Sequence, residues 1–439
     1  MKTKSSLLIA FRMILPKSRE FTQGKKNLLG AVLCIALSII PLVVVMTVAD
    51  GMIDGLMGRI VGLSSYHVQV KDFSTLVTDE TFANLQRVAT DLGQLPEVNS
   101  AFVEWSSVGL ASGKKGRTGA TIRALEHDSL TKNNDFAQYI QLVEGELSLR
   151  DDRAALVGKK LAEILDLKVG DTFRLITAKK NSGTQISPKI TTFKVKGIVS
   201  SGYQELDGLW VLIPLNRAKT ILSPQSSQIM LGVETTNPFD DSFYKTVNAI
   251  EEIAGEDYEI VPWNYLNSTQ FDTFASTKLL LLFIMFLIVL IASVNVSSAL
   301  VMLVMEKRKE IAILKSIGAS NHGITFAFLV IGLIIGGAGV LVGIPIGLLL
   351  ALHINEIISF LEKGINCVME LITVLLNRGN FTAISLLDPQ YYLEHIPVVI
   401  PFTELFLIGA MALILSLLVS IVPAIKAGKE KPLEILRKT

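Results

Sequence analysis

Four stretches of this chain are too long and too apolar for ordinary core helices: Leu28–Ala49, Leu279–Met305, Ile324–Leu352 and Leu405–Ile425. A helix that crosses a bilayer needs roughly 20 mostly apolar residues, and each stretch meets that length. At ~1.5 Å rise per residue even the shortest reaches about 30 Å. Half of the 439 residues are hydrophobic, and they are gathered into these runs rather than spread evenly. A buried soluble helix is an alternative for any one stretch and a poor one for all four together. The chain therefore reads as a multi-pass membrane protein, and everything else must be arranged around four spans.

The charges then orient it. The net charge is only +1, but the signs are segregated. Lys2, Lys4, Arg12, Lys17, Arg19, Lys25 and Lys26 precede the first span against Glu20 alone. Lys307, Arg308, Lys309 and Lys315 follow the second, and Lys426, Lys429, Lys431, Arg437 and Lys438 follow the fourth. Residues 51–276 carry more Asp and Glu than Lys and Arg. Cationic loops stay on the cytoplasmic side. The expected order is a cytoplasmic amphipathic segment (1–27), first span (28–50), outer domain (51–276), second span (277–305), cytoplasmic link (306–322), third span (323–352), outer segment (353–404), fourth span (405–425) and cytoplasmic tail (426–439). The first run lacks a small-x-small cleavage site, and Ala31-Val32-Leu33 before Cys34 argues against lipoprotein processing, so it reads as a retained span. Cys34 and Cys367 are the two cysteines, so the outer domain has no disulfide framework. Residues 5–27 suit a helix lying on anionic headgroups, with a disordered basic tail as the other reading.

The link has the pattern of a short helix. Ile311, Leu314 and Ile317 or Gly318 recur three to four apart, and Glu306 and Glu310 lie where a helix N-terminus favours anions. Gly318 is placed to end that helix, and Ser320 or Asn321 to cap the next. A helix pinned between two spans can pass a push from the water side into both, whereas a solvated juxtamembrane loop cannot.

The outer domain contains an internal echo. His67–Val70 alternates like a strand, Asp79–Leu92 has helical spacing, and Val98–Trp105 returns to strand. Downstream, Ile229–Val233, Asp240–Ile253 and Tyr258–Trp263 repeat the order. Two such units predict a split, ferredoxin-like sheet. The expected class is thus an α+β multi-pass membrane protein: four transmembrane helices, with a large mixed α/β extracytoplasmic domain between the first two. The split unit carries an inserted β-rich subdomain at about 106–226. Strand candidates there are Thr121–Leu125, Thr172–Ile176, Thr192–Val199 and Leu209–Ile213, with Ala155–Leu165 a strand leading into a helix. Thr177–Thr191, with Lys179, Lys180, Ile186 and Pro188, is polar and Gly/Pro-punctuated, and reads as a long hairpin tip or loop. It is either a docking arm or plain solvent loop. In the third span Gly339, Gly343 and Gly347 repeat every four residues and give a smooth face for a neighbouring helix. Ile354–Leu375 reads as an amphipathic helix or as a continuation of that span.

Chemistry is sparse. No Gly-rich loop ends in Gly-Lys-Ser/Thr, the five histidines are scattered without a metal-ligand pattern, and no Gly-x-Ser-x-Gly occurs. Apart from Asp50 at a rim, no acid or base lies inside the four apolar runs. A non-catalytic protein without metal, cofactor or nucleic-acid partner is expected.

Four stretches together resemble one family. They are Ile291–Asn295 with Val304–Ala319, Leu156–Ala162 with Leu167–Asp171, Leu387–Leu393 with Ile396-Pro397, and Pro423-Ala424 with Ala427 and Pro432–Arg437. They are similar to the permease subunits of lipoprotein-releasing ABC transporters, the LolC/LolE group within the FtsX/MacB-like class. The resemblance implies a permease of the bacterial inner membrane, driven by a separate ABC ATPase and paired with a second permease, the same or a sister chain. Such a permease takes lipoprotein cargo from the membrane lipids and passes it to a periplasmic carrier. It implies ATPase contact at Glu306, Lys307, Arg308, Lys309, Glu310, Ile311, Leu314, Lys315, Ile317 and Gly318, and a cargo cleft at Val43, Met46, Thr47 and Met52. The 177–191 loop falls where the family's carrier-binding hook lies, without matching it closely. An FtsX-like transmitter acting on a cell-wall hydrolase, or a MacB-like efflux component, are the other members of the class to weigh.

Overall fold

The computed structural model describes residues 23–73, 77–180, 186–375, 393 and 396–430. The basic segment before Gln23, the motif after Glu430 and most of the 387–395 stretch lie outside these residues. In chain order the main helices are α1 (Gln23–Arg59), α2 (Asp79–Leu92), α3 (Lys159–Leu165), α4 (Leu215–Ile221), α5 (Phe243–Ala254), α6 (Ser268–Glu306), α7 (Arg308–Ser316), α8 (Asn321–Leu352), α9 (Ile354–Leu375) and α10 (Phe402–Lys429). The strands are β1 (Val68–Asp72), β2 (Val98–Ser112), β3 (Arg117–Leu125), β4 (Gln141–Gly145), β5 (Ala154–Gly158), β6 (Thr172–Lys180), β7 (Ile186–Ser200), β8 (Trp210–Pro214), β9 (Ser227–Thr235) and β10 (Tyr258–Pro262). The chain divides into two compact units, one holding the span helices and the other running from Met52 to Thr273 with residues 382–396.

Among the described residues four helices are long and apolar enough to cross a membrane: α1 with its continuation to Ser65, α6, α8 and α10. Lipid tails are as apolar as leucine, so nothing hydrophobic drives such helices together, and close packing must do it. Helix α8 supplies that packing with glycine. A Cβ at Gly339, Gly343 or Gly347 would come within 2.5–2.9 Å of the side chains of Ile35, Ile39 and Val43 on α1. One turn earlier, Gly332 and Gly336 meet Ser420 and Ser416 of α10, and Ser416 Oγ donates to the Gly332 carbonyl at 2.8 Å. The neighbour expected for the smooth face is therefore α1, and a second small-residue seam holds α10. Around these seams lie Met46, Val289, Val296, Leu300, Phe328, Ile331, Ile408 and Leu415. Helix α9 is separate from α8, with His353 between them.

In the second unit, β10–β1–β9–β2 form an antiparallel sheet, with α2 joining β1 to β2 and α5 joining β9 to β10. That is the order of a split β-α-β pair. Helix α2 keeps the bounds its sequence predicts. Thr78 Oγ1 accepts from the Thr81 N–H at 3.1 Å and Thr81 Oγ1 from the Thr78 N–H at 3.4 Å, with Asp79 and Glu80 in the first turn. Leu85, Val88 and Leu92 face Phe243, Val247 and Ile250 of α5 and the sheet residues Val68, Val70, Leu231 and Val233. The region 106–226 has its own core, from Ile122, Val157, Leu161, Phe173, Phe193, Val195 and Ile213. It does not have its own sheet. Strand β2 is 15 residues long and pairs with β9 over its first part and with β3 and β6 over its second, so one ten-stranded sheet continues through β3, β8, β5, β7 and β4.

If the glycine seam holds α1 against α8, Gly343→Leu should lower the thermal midpoint of the purified protein in lipid nanodiscs by the equivalent of about 1–3 kcal/mol, the usual cost of overpacking. Gly364→Leu on α9, where a Cβ meets nothing within 4 Å, should leave it unchanged.

Candidate functional site

The link between the second and third spans is a helix. Lys307 precedes it and pairs with Glu310 at 2.6 Å. Gly318 ends it at φ +100°, where side chains are strained, and the Ser320 side chain accepts from the Gly323 N–H to start α8. Ile311 and Ala312 are fully buried, and Leu314 packs partly against the same span core. The expected stripe is corrected at its end. Ile317 lies beyond the last helical residue and is 81% exposed, because the chain is already turning toward Gly318. The inward face is Ile311, Ala312 and Leu314. The outward face carries Glu306, Lys309, Glu310, Ile313 and Ile317, an apolar pair one turn apart with charges beside it. Ile313 was missed by the sequence reading, although its spacing of four from Ile317 was there to be seen.

Two polar side chains bind α7 to the end of α10. Lys315 Nζ donates to the Gly428 and Glu430 carbonyls at 2.6 and 2.7 Å, and Arg308 Nε donates to Glu430 Oε2 at 2.8 Å. Carbonyls at a helix C-terminus lack intrahelical partners, so a lysine there both satisfies and fastens them. The link is thus attached to three elements: α6 before it, α8 after it and α10 beside it.

The residues proposed for the cargo cleft are not brought together on a surface. Val43, Met46 and Thr47 are fully buried in the span core, and Val43 sits against Gly347 of α8. The Thr47 hydroxyl is enclosed with no hydrogen-bond partner among the described residues. Met52 is half-buried and belongs to the other unit. The face of α1 left open is Leu29, Leu33, Leu37, Pro41 and Val45, at a spacing of four. An evenly apolar helix gives no sign in its sequence of which face packs and which stays open.

Of the two forms expected for the 177–191 stretch, its described residues take the hairpin. Strands β6 and β7 stay in register from Thr172↔Lys194 out to Lys180↔Ile186, so the backbones of Lys179, Lys180 and Ile186 belong to a long hairpin ladder, and Pro188 lies exposed on it. The tip, 181–185, lies outside the described residues. At the root of the arm, hydrogen bonds from Lys114 Nζ and the Lys168 N–H hold the Asp171 carboxyl below its usual range.

At the opposite end of the spans from α7, Lys278 of α6 pairs with Asp50 of α1 at 3.0 Å and with Glu404 of α10 at 2.6 Å. Three spans are tied by one ammonium. The sequence marks Asp50 as a rim charge and gives no sign of its partners Lys278 and Glu404, and only the packing joins them.

Family models match both units. One, described as FtsX-like permease C-terminal, matches residues 282–432, and another, MacB-like periplasmic core domain, matches residues 28–241. Together these two matches extend over most of the chain, which is similar to the FtsX/MacB-like permeases. It is similar to the lipoprotein-releasing system transmembrane protein LolC of Neisseria meningitidis, at 25% identity over 92% of both chains. It is also similar to LolE of Haemophilus influenzae, at 26% identity over 95% of this chain and 98% of that one. Among solved structures, the periplasmic region of MacB from Actinobacillus actinomycetemcomitans aligns at 13% identity over 48% of this chain and 95% of its own, with a TM-score of 0.31.

Removing the shared ammonium by Lys278→Met leaves two carboxylates facing each other with little solvent. The thermal midpoint should fall by the equivalent of about 1–3 kcal/mol, the cost of an unsatisfied buried group. Adding Glu404→Leu to Lys278→Met should restore part of that loss in the same melting assay.

Proposed function

We propose that this chain is the membrane permease subunit of an ABC transporter that lifts lipoproteins out of the outer leaflet of the bacterial inner membrane and hands them to a periplasmic carrier. Both termini and α7 lie in the cytoplasm, and the Met52–Thr273 unit, a split ferredoxin-like core with its β-rich insertion, stands in the periplasm. A separate ATPase docks on the outward face of α7. A second permease, the same or a sister chain, completes the transporter. The open stripe of α1, rather than Val43, Met46 and Thr47, is the surface left for cargo and partner, and the β6–β7 arm is where the carrier docks.

The observation that carries this reading is the construction of α7. Its inner face is locked into the span core, its end is fastened to α10, and its outer face presents Ile313 and Ile317 among charges. An apolar pair rimmed by charges on the free face of an anchored helix is the pattern of an interface with a polar rim. The energy requirement points the same way. Drawing an acyl chain from the bilayer costs about 0.8 kcal/mol per CH₂, so one long chain needs on the order of 10 kcal/mol. The chain carries no nucleotide-binding loop of its own in the sequence, so the driving ATPase is a partner.

Depletion of this chain in its host should leave mature lipoproteins in the inner membrane fraction; normal sorting would refute the reading. Ile313→Asp with Ile317→Asp, both on exposed positions, should abolish co-purification with the ATPase and reduce lipoprotein release from proteoliposomes at least tenfold. The thermal midpoint of the permease should not change.

A further inference from the structure

The first span helix enters the large domain without an ordinary cap. After Arg59 it widens into a π turn, Ile60–Ser65, and leaves through Tyr66 at φ 58° and ψ 169°. Both features are unfavourable for a side-chain-bearing residue and persist only where the surroundings fix them. What fixes them is Arg123 of β3, which is 3% exposed. Its Nη1 donates to the Leu63 carbonyl at 2.5 Å and its Nη2 to the Tyr66 hydroxyl at 2.7 Å. Its Nε and Nη2 fork onto the two Glu104 carboxylate oxygens at 2.8 and 2.6 Å. The Tyr66 hydroxyl in turn donates to Glu104. The guanidinium lies over the rings of Trp210, Tyr66 and Phe136, at 4.9, 5.5 and 5.5 Å. The Tyr66 ring rests on Gly232 of β9, where a Cβ would approach to 2.6 Å. Burial works against the Arg123 charge, yet Glu104 and Tyr66 more than offset it and raise its pKa.

The second span helix reaches the same place. Asn267, the residue before α6, donates from Nδ2 to Ser65 Oγ at 2.9 Å, and Ser65 is the last residue of the π turn. The Trp263 N–H donates to the His67 carbonyl at 3.0 Å. His67 Nδ1 accepts from the Thr235 N–H at 2.8 Å while Nε2 pairs with Asp135 at 2.9 Å, and Asp135 packs on Gly62 of the π turn. The end of one helix, the start of another and strands β1, β2, β3 and β9 therefore meet in one closed polar network.

Stability alone gives a poor account of this arrangement, because a buried ion pair is commonly no more stabilising than apolar residues of the same volume. What it provides is fixed geometry. We propose that Arg123 is a positioning residue that rivets the outer ends of the first and second span helices to the sheet, so that a displacement of either helix moves the sheet as one body. This deepens the permease reading and rests on it.

The test uses the full chain, assembled with its ATPase and partner permease in proteoliposomes. Glu104→Leu with Arg123→Met removes the rivet without leaving a lone charge. Cooperative melting should be retained and ATP hydrolysis should stay within twofold. Amide exchange at residues 63–67 should rise at least tenfold, and lipoprotein release should fall at least tenfold. Unchanged release in that folded variant overturns the proposal and leaves the network a packing feature. The second arm joins Ser65→Cys to Asn267→Cys by a disulfide or a short thiol cross-linker. Release should survive cross-linking in the wild-type background and be partly recovered in the Glu104→Leu/Arg123→Met background. A block of release on cross-linking means that the joint must open, and overturns the proposal. This arm alone decides if the double variant fails to fold. Should the wild-type assembly release no lipoprotein, the permease reading fails by itself. The rivet is then read by exchange: protection at residues 63–67 and along β1 should change together on adding ATP in the wild type and separately in the variant.

Discussion

In a bilayer two apolar helices gain little from touching unless their backbones come close, and this constraint shapes the span unit. Helix α8 meets it with five glycines arranged in two seams, one against Ile35, Ile39 and Val43 of α1 and one against Ser416 and Ser420 of α10. A seam of this kind has no room for gradual adjustment. A shift of a fraction of an ångström brings side chains into overlap, so α1, α8 and α10 either move together or jump to another register. Because α7 is separated from α8 by only Ile317–Ser320, and because Ile311 shares a core with Phe328 and Ile331, a load on α7 falls directly on the element that holds the others.

Where local chemistry decides the structure, the sequence was legible. Gly318 ends α7 and Ser320 starts α8, and both were readable because a cap involves residues three or four apart; the Thr78–Thr81 cap of α2 is seen in the structure, while its sequence showed the helix by spacing alone. The pairing of the two strand–helix–strand echoes was also legible, since period-two and period-3.6 patterns repeat in the same order. Strand ends were not. Strand β2 runs past Trp105 to Ser112 because β3 and β6 arrive from elsewhere in the chain to pair with it. For the same reason the 106–226 region could be seen as an insertion but not as a continuation of the same sheet.

Which face of the first span packs inward was not legible, for a different reason. A span that is apolar all round has almost no amphipathic signal, so Val43 and Met46 could not be separated from Leu33 and Leu37 by composition. The information was present indirectly. A glycine every four residues on α8 requires a partner that presents side chains every four residues, and Ile35, Ile39 and Val43 on α1 do so. The charged clusters were still less accessible. Asp50, Lys278 and Glu404 each stand at a different span end, and Glu104 and Arg123 stand on different strands. Arg123 falls between Ile122 and Ala124 in a strand that reads as half-buried. It is buried on its own face as well because Leu63, Tyr66 and Trp210 cover it.

Polar contacts in this chain are placed where they constrain motion rather than where they add most to stability. A lysine at each end of the spans bridges separate helices: Lys315 holds the α10 carbonyls beside α7, and Lys278 holds the acids of α1 and α10. Contacts of this sort add little net free energy once the desolvation of both partners is counted, yet each fixes the spacing of the helix ends it joins. With packing fixed along the middle by glycine and spacing fixed at the ends by lysine, the spans behave as linked rods. Work on the order of 10 kcal/mol, the cost of freeing one acyl chain, can be transmitted along such rods only if the joints do not yield first. A joint made of single exposed pairs yields at about 1 kcal/mol. The Arg123 network is buried, forked and stacked on three rings, so it fixes direction as well as distance where single pairs fix distance alone.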